Sequence, residues 1–204
     1  RKRMACAPRD ILIEQVQTPP RQNFPPLTNP SQSYDIRFSH SIKALFFAVR
    51  NITNSNIWSN YTTASPVPGP QVVVFEPTAG AFDPINNTTL TYENTNRLNQ
   101  MGSDYYSLIE PFYKAPSIPE PTGYHLYSYS LGFYNVDPLG STNYGKLTNV
   151  SIVPAASPAA IVGAGGTGAA ASGQDYAQTY EFIIIGLNTN IIRISGGALG
   201  FPVL

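Results

Sequence analysis

Between Asp35 and Ala44 the chain alternates. Asp35, Arg37, Ser39, Ser41 and Lys43 interleave with Ile36, Phe38, His40, Ile42 and Ala44. Successive side chains of an extended backbone point to opposite faces, so this period predicts a strand with one wet and one buried face. At Leu45–Val49 the alternation stops and both faces turn apolar. The strand is therefore expected to run under something, either a second sheet or a neighbouring subunit, and Phe46 is a candidate core residue.

Other segments read the same way. Arg9–Gln17 is a first strand, ended by Pro19-Pro20, and a proline-rich loop follows it. Gln71–Phe75, Thr88–Glu93, Tyr124–Leu131 and Lys146–Val153 are further strands. Tyr180–Leu187 and Asn190–Ser195 make a final pair about a turn at Asn188-Thr189. A helical turn is expected around Tyr105–Ile109, stopped by Pro111. Eight strands with proline-punctuated connections predict an all-β fold, an eight-stranded antiparallel jelly-roll sandwich with long loops. No linker divides the 204 residues, enough for a domain burying roughly 70% of its unfolded surface.

Charge narrows the function. Only 12% of residues are charged, 12 basic against 12 acidic, so the excess of Lys and Arg that nucleic-acid binding draws on is missing. The basic run Arg1-Lys2-Arg3 reads as a solvated end. Cys6 is the single cysteine, which excludes an internal disulfide and any multi-cysteine zinc site and favours a reducing compartment. No signal peptide is read at the start, and no apolar run approaches the ~18 residues of a membrane-spanning helix. A chain opening on Arg1 is expected to be a fragment or processed product.

The motifs that suggest chemistry each have a plainer reading. Gly163-Ala164-Gly165-Gly166-Thr167-Gly168 spells G-x-G-x-x-G after a strand-like Ala159–Val162. A dinucleotide site needs a helix after the third glycine and a following acid, whereas Ser172-Gly173 interrupts and Glu181 lies before the next strand. A flexible Gly/Ala loop is expected instead. His40 and His125 lie 85 positions apart, too few and too scattered for the histidine cluster of a metal-dependent jelly-roll enzyme. Cys6 lies in the fringe before the first strand. No catalytic, cofactor-binding or metal-binding residue is assigned. Tyr105, Tyr106, Tyr113, Tyr124, Tyr127, Tyr129 and Tyr134 could form a sugar-stacking platform, but core or interface packing is the favoured reading. Sequons at Asn51, Asn60, Asn86, Asn87 and Asn149 are expected by chance in an Asn/Thr-rich chain.

Several ordered segments carry a resemblance. Gly140-Ser141-Thr142-Asn143-Tyr144-Gly145-Lys146-Leu147-Thr148-Asn149-Val150-Ser151 and the tail Asn190–Leu204 resemble the C-terminal part of the major capsid protein of iridoviruses and related nucleocytoplasmic large DNA viruses. Arg9–Gln17, Arg37–Leu45, Tyr92–Thr95, Tyr105–Pro111 and Thr122–Tyr129 are similar to the same family, in its order. The resemblance implies the second half of a double jelly-roll capsid protein, with an inter-domain fringe at 1–8 and the C-terminal jelly roll at 9–204. It implies a homotrimer whose six jelly rolls form a pseudo-hexagonal capsomer of an icosahedral shell over an internal membrane. The partners it implies are the chain itself, neighbouring capsomers and minor capsid proteins, with no direct nucleic-acid contact, no cofactor and no catalysis. The virion is the expected location, after assembly in the host cytoplasm. The alternative is a trimeric jelly-roll module binding carbohydrate or a receptor, with Tyr124 or Trp58 in contact.

Overall fold

A computed structural model describes residues 7–54, 57–64, 82–165 and 177–202. Its strands are β1 (Arg9–Gln17), β2 (Gln22–Phe24), β3 (Tyr34–Asp35), β4 (Ser41–Asn51), β5 (Ile85–Tyr92), β6 (Thr95–Gly102), β7 (His125–Ser128), β8 (Thr142–Asn143), β9 (Val150–Ala156), β10 (Tyr180–Ser195) and β11 (Ala198–Gly200). Two sheets carry them. The larger runs β1-β10-β4-β7, with β2 and β11 attached to β10 and β8 to β4; the smaller runs β3-β9-β5-β6. Every pairing is antiparallel. Leaving aside the three short appendages, the two paths hold eight strands. Ranked along the chain, they lie in the orders 1-8-3-6 and 2-7-4-5, the double wrap of a jelly roll.

The expected strands and the observed ones differ in detail. The alternation at 35–44 does not make one strand. The chain leaves the smaller sheet after β3, takes a left-handed turn at His40 (φ 64°) and enters the larger sheet at Ser41. Burial still alternates, because the 36–39 segment is extended and drops Ile36 and Phe38 between the sheets. The Phe38 ring lies against the backbone of β10 at Gly186, where a Cβ would come within 2.9 Å of it. Lys43, expected on the wet face, is buried. The ladder with β10 pairs Ala44 with Leu187 and Ile42 with Asn188, leaving Lys43 as the extra residue of a bulge, which re-aims it. Its Nζ donates to Glu14 Oε1 at 2.5 Å and to Asn135 O at 2.9 Å.

No turn interrupts residues 180–195; they form one strand. Asn188 and Thr189 pair with Gln15 and Glu14 of β1 on one side and with β4 on the other, so ladders on both flanks override local turn propensity. The hairpin partner of β5 lies where no strand was expected. β6 is a polar edge strand, entered through Glu93 and Asn94, both at positive φ as tight hairpins require. A helical turn does span Tyr105–Ile109, in π-helical form, but Pro111 does not stop it. The proline opens a helix at Glu110–Lys114, where a missing N–H leaves nothing unsatisfied. The strand-like Ala159–Val162 belongs to a helix, Pro158–Ala164, started by Ser157, whose Oγ accepts from Ala160 N–H at 3.2 Å. The expected strand at 71–75 lies outside the described residues.

Aromatic and β-branched side chains fill the space between the sheets. Tyr34 stacks on Phe182 at 4.5 Å, and Phe47 meets Tyr106 edge-on at 5.2 Å. Within Leu45–Val49 the core-facing residues are Leu45, Phe47 and Val49, while Phe46 is half-buried on the opposite face. Phe47→Ala is expected to lose about 3–5 kcal/mol in urea unfolding. The same substitution at Phe46, the core candidate read from the sequence, should lose clearly less, because its ring is half-buried on the opposite face.

Candidate assembly surface

Part of the outer face of the larger sheet is apolar. Phe46 and Ala48 of β4, Ile183 and Ile185 of β10, Leu126 of β7 and the ring of Phe133 line a groove of about 480 Å³ roofed by the proline-rich 111–121 stretch. The doubly apolar strand at 45–49 thus lies under the smaller sheet on one side and a partly open groove on the other. A second cleft, at the opposite end, is polar and includes Ser39, His40, Asn143, Lys146 and Asn190.

The residues singled out for chemistry take structural places. His125 is buried, stacked on Phe47 at 5.0 Å, with Nε2 at 2.7 Å from Asp83 Oδ2. His40 sits at the left-handed turn, and the structure does not bring the two histidines together. Among the described residues no three His, Cys, Asp or Glu side chains are grouped to hold a metal ion. Cys6 lies outside the described residues. Gly163 and Gly165 stand at the C-terminal end of a helix, the negative end of its dipole, whereas a phosphate-cradling loop needs the N-terminal end. Gly163 is there for packing: a Cβ would come within 2.7 Å of Gln178 Oε1. Gly166–Gly168 are outside the described residues.

The tyrosines do not form one platform. Tyr106 is in the core, Tyr105, Tyr127 and Tyr129 pack against it, Tyr124 leans on Tyr61 at 4.9 Å, and Tyr113 and Tyr134 are exposed. Tyr129 instead joins Tyr92 and Tyr144 in a hydroxyl cluster, with the Tyr129–Tyr144 oxygens 2.8 Å apart and Tyr92 bonded to Tyr129. Trp58 is exposed.

Two sequons turn out to be architectural. Asn51 Oδ1 accepts from Thr53 N–H at 3.1 Å and from its hydroxyl at 2.6 Å. Asn60 Oδ1 does the same with Thr62, at 3.0 and 2.8 Å. These twin Asx motifs lock together, Asn51 N–H donating to Asn60 O at 2.8 Å. Both asparagines are buried, so the N-x-T spacing here serves a loop that folds on itself; Asn86 and Asn149 are exposed. Sequence alone offered one signal for this, two N-x-T triplets nine residues apart.

This jelly roll has known relatives. The family model described as large eukaryotic DNA virus major capsid protein matches residues 1–200. The chain belongs to that family. The major capsid protein of Costelytra zealandica iridescent virus is 73% identical over 204 residues, all of this chain and 44% of that protein. That of Frog virus 3 is 48% identical over the same span, again 44% of its length. The chain therefore spans less than half the length of these relatives. Among solved structures, PBCV-1 VP54, fitted into a reconstruction of the virophage Sputnik, superposes with a TM-score of 0.72 at 24% identity, over 100% of this chain and 53% of that one. The Faustovirus major capsid protein shares the fold at 13% identity, with a TM-score of 0.59 over 95% of this chain and 35% of that one.

Two outcomes follow for this capsid-family domain. Asn60→Ala removes three hydrogen bonds, two of them buried, and is expected to lose about 1–3 kcal/mol in urea unfolding. Burial holds the hydroxyls of Tyr129 and Tyr144 far above the ordinary phenol range. A raised folded value means stability is intact below the unfolded phenol value near 10 and falls as pH rises above it. Alkaline difference spectroscopy should show the Tyr129 and Tyr144 hydroxyls ionising only as the fold is lost.

Proposed function

We propose that residues 9–204 are the C-terminal jelly roll of a major capsid protein, preceded by an inter-domain segment at 1–8. The parent assembles as a homotrimer with a pseudo-hexagonal outline, and such capsomers tile the icosahedral capsid of a virion assembled in the host cytoplasm. Neighbouring capsomers and minor capsid proteins are its partners, and the shell it builds lies over an internal membrane.

The observation that carries this reading is the capsid-family match over residues 1–200. The surface agrees with it. A protein that works by tiling buries its faces against other protein, and here the larger sheet carries an apolar groove on its outer side besides its core side, while net charge is zero. Among the described residues no helix is long and apolar enough to cross a membrane, which suits a domain standing over a bilayer. Geometry does the work: sheets give stiffness, and loops and outer faces bury area against copies. Contacts of that obligate kind bury on the order of 2,000 Å² or more.

Light scattering on the full-length parent tests the reading. A mass of three chains is expected, with hexagonal outlines in electron micrographs. A monomer at high concentration would remove the capsomer and leave only the fold.

A further inference from the structure

The edge of the larger sheet at β7 is covered by a short helical segment, and what that segment presents outward is unusual. Leu108, Ile109, Phe112 and Tyr113 fall within six residues and are 48%, 50%, 67% and 75% exposed. Leu131 and Tyr134 lie nearby in the chain that leaves β7, with Lys114 Nζ donating to Ser130 O at 3.2 Å to tie the two stretches together.

This exposure is built in. Glu110 is buried, its Oε1 accepting from Ser128 N–H at 3.1 Å and so closing a donor on the free edge of β7, while its Oε2 accepts from Tyr105 hydroxyl at 3.3 Å. Tyr106 is inserted in the core with its hydroxyl on Thr88 O at 3.2 Å. The polar and large core-directed groups of residues 105–114 point inward and hold the segment still. Leu108, Ile109, Phe112 and Tyr113 are left in solvent, while Pro111 is buried.

We infer that this β7-edge patch is a docking surface for a neighbouring copy of the parent protein. The inference rests on the capsid reading above and names a surface through which assembly occurs. Area is the first argument. A buried aromatic contributes roughly 150–250 Å², so Phe112, Tyr113 and Tyr134 at their exposures present on the order of 400–500 Å², already the size of the largest patch on a typical monomer. Three aliphatic side chains bring the total towards the ~800 Å² per partner of a standard interface. Charge is the second. Between 105 and 113 the one charged residue is Glu110, and it is buried, so the surface suits neither a phosphate-bearing nor an oppositely charged partner. Position is the third. At the opposite edge of the same sheet, β1 also exposes apolar side chains, Leu12 and Val16. Unlike apolar surfaces at two edges of one wedge suit a head-to-tail contact, which closes as a ring.

The experiment uses the full-length parent carrying Phe112→Ser with Tyr113→Ser, compared with wild type by light scattering and thermal melting. The expected result is a threefold fall in mass with an unchanged melt of the isolated chain. A variant that keeps the wild-type mass overturns the inference while leaving the capsid reading intact. A wild-type parent that is itself monomeric overturns that reading instead. In a second measurement, ¹⁴N and ¹⁵N parent proteins are co-assembled and cross-linked through Lys114. Cross-linked peptides that pair light with heavy chains support a neighbouring copy. Pairs confined to one isotope mean that the patch packs within its own chain, and overturn the proposal.

Discussion

The sixteen-residue strand β10 is the member on which the rest of the molecule depends. It is hydrogen-bonded to β1 and β2 along one flank and to β4 and β11 along the other, so the first quarter of the chain and its last part meet on it. Such long-range pairing is what makes a jelly roll slow to specify locally and firm once formed. Its even-numbered residues from Tyr180 to Ile184 enter the core and its odd-numbered ones, Ile183 and Ile185, line the outer groove. A single strand therefore sets both the fold and the surface offered to partners.

That double use explains the composition. A sheet with one wet face alternates apolar with charged residues; this one replaces charges on much of its outer face with Ile, Phe, Ala and Leu. The bulge at Lys43 shows how a charge is handled where it intrudes: its ammonium is neutralised by Glu14, completed by Asn135 O and covered by the Phe133 ring at 5.6 Å. Outside Glu110 and the His125–Asp83 pair, much of the buried hydrogen bonding is met by neutral groups, the twin Asn-x-Thr motifs and the tyrosine hydroxyl cluster. A surface that must pack against protein is easier to build from such groups, because they carry no charge to desolvate.

How much of this was legible beforehand varied with the range of the interaction. β1 was read to its ends, because nine residues of strand-forming sequence stop at prolines. β6 was missed because an exposed edge strand such as Thr95–Gly102 has no apolar face to generate a period. The helix at Pro158–Ala164 was signalled by Ser157-Pro158, a cap followed by proline at the first helical position, but its Ala, Val and Gly content looked like strand and loop. The G-x-G-x-x-G spelling misled in the other direction: its described glycines end a helix. The candidate surface was legible only as a hint, the loss of alternation at Leu45–Val49. Which of Phe46 and Phe47 faced the core depended on a bulge at Lys43, three residues before Phe46.

By itself the sequence determined that this chain is all-β, poor in charge and net neutral, devoid of a recognisable catalytic constellation and similar over most of its length to a capsid family. Those properties follow from local pattern and composition, which every residue carries with it. The tertiary structure decided the rest: one strand where a turn was expected, a lysine inside, asparagines of two sequons folded inward, and a helical segment that closes the β7 edge while turning Phe112 and Tyr113 out. Each of these depends on which segment lies across from which, and pairing between residues more than a hundred positions apart leaves no mark in either segment alone.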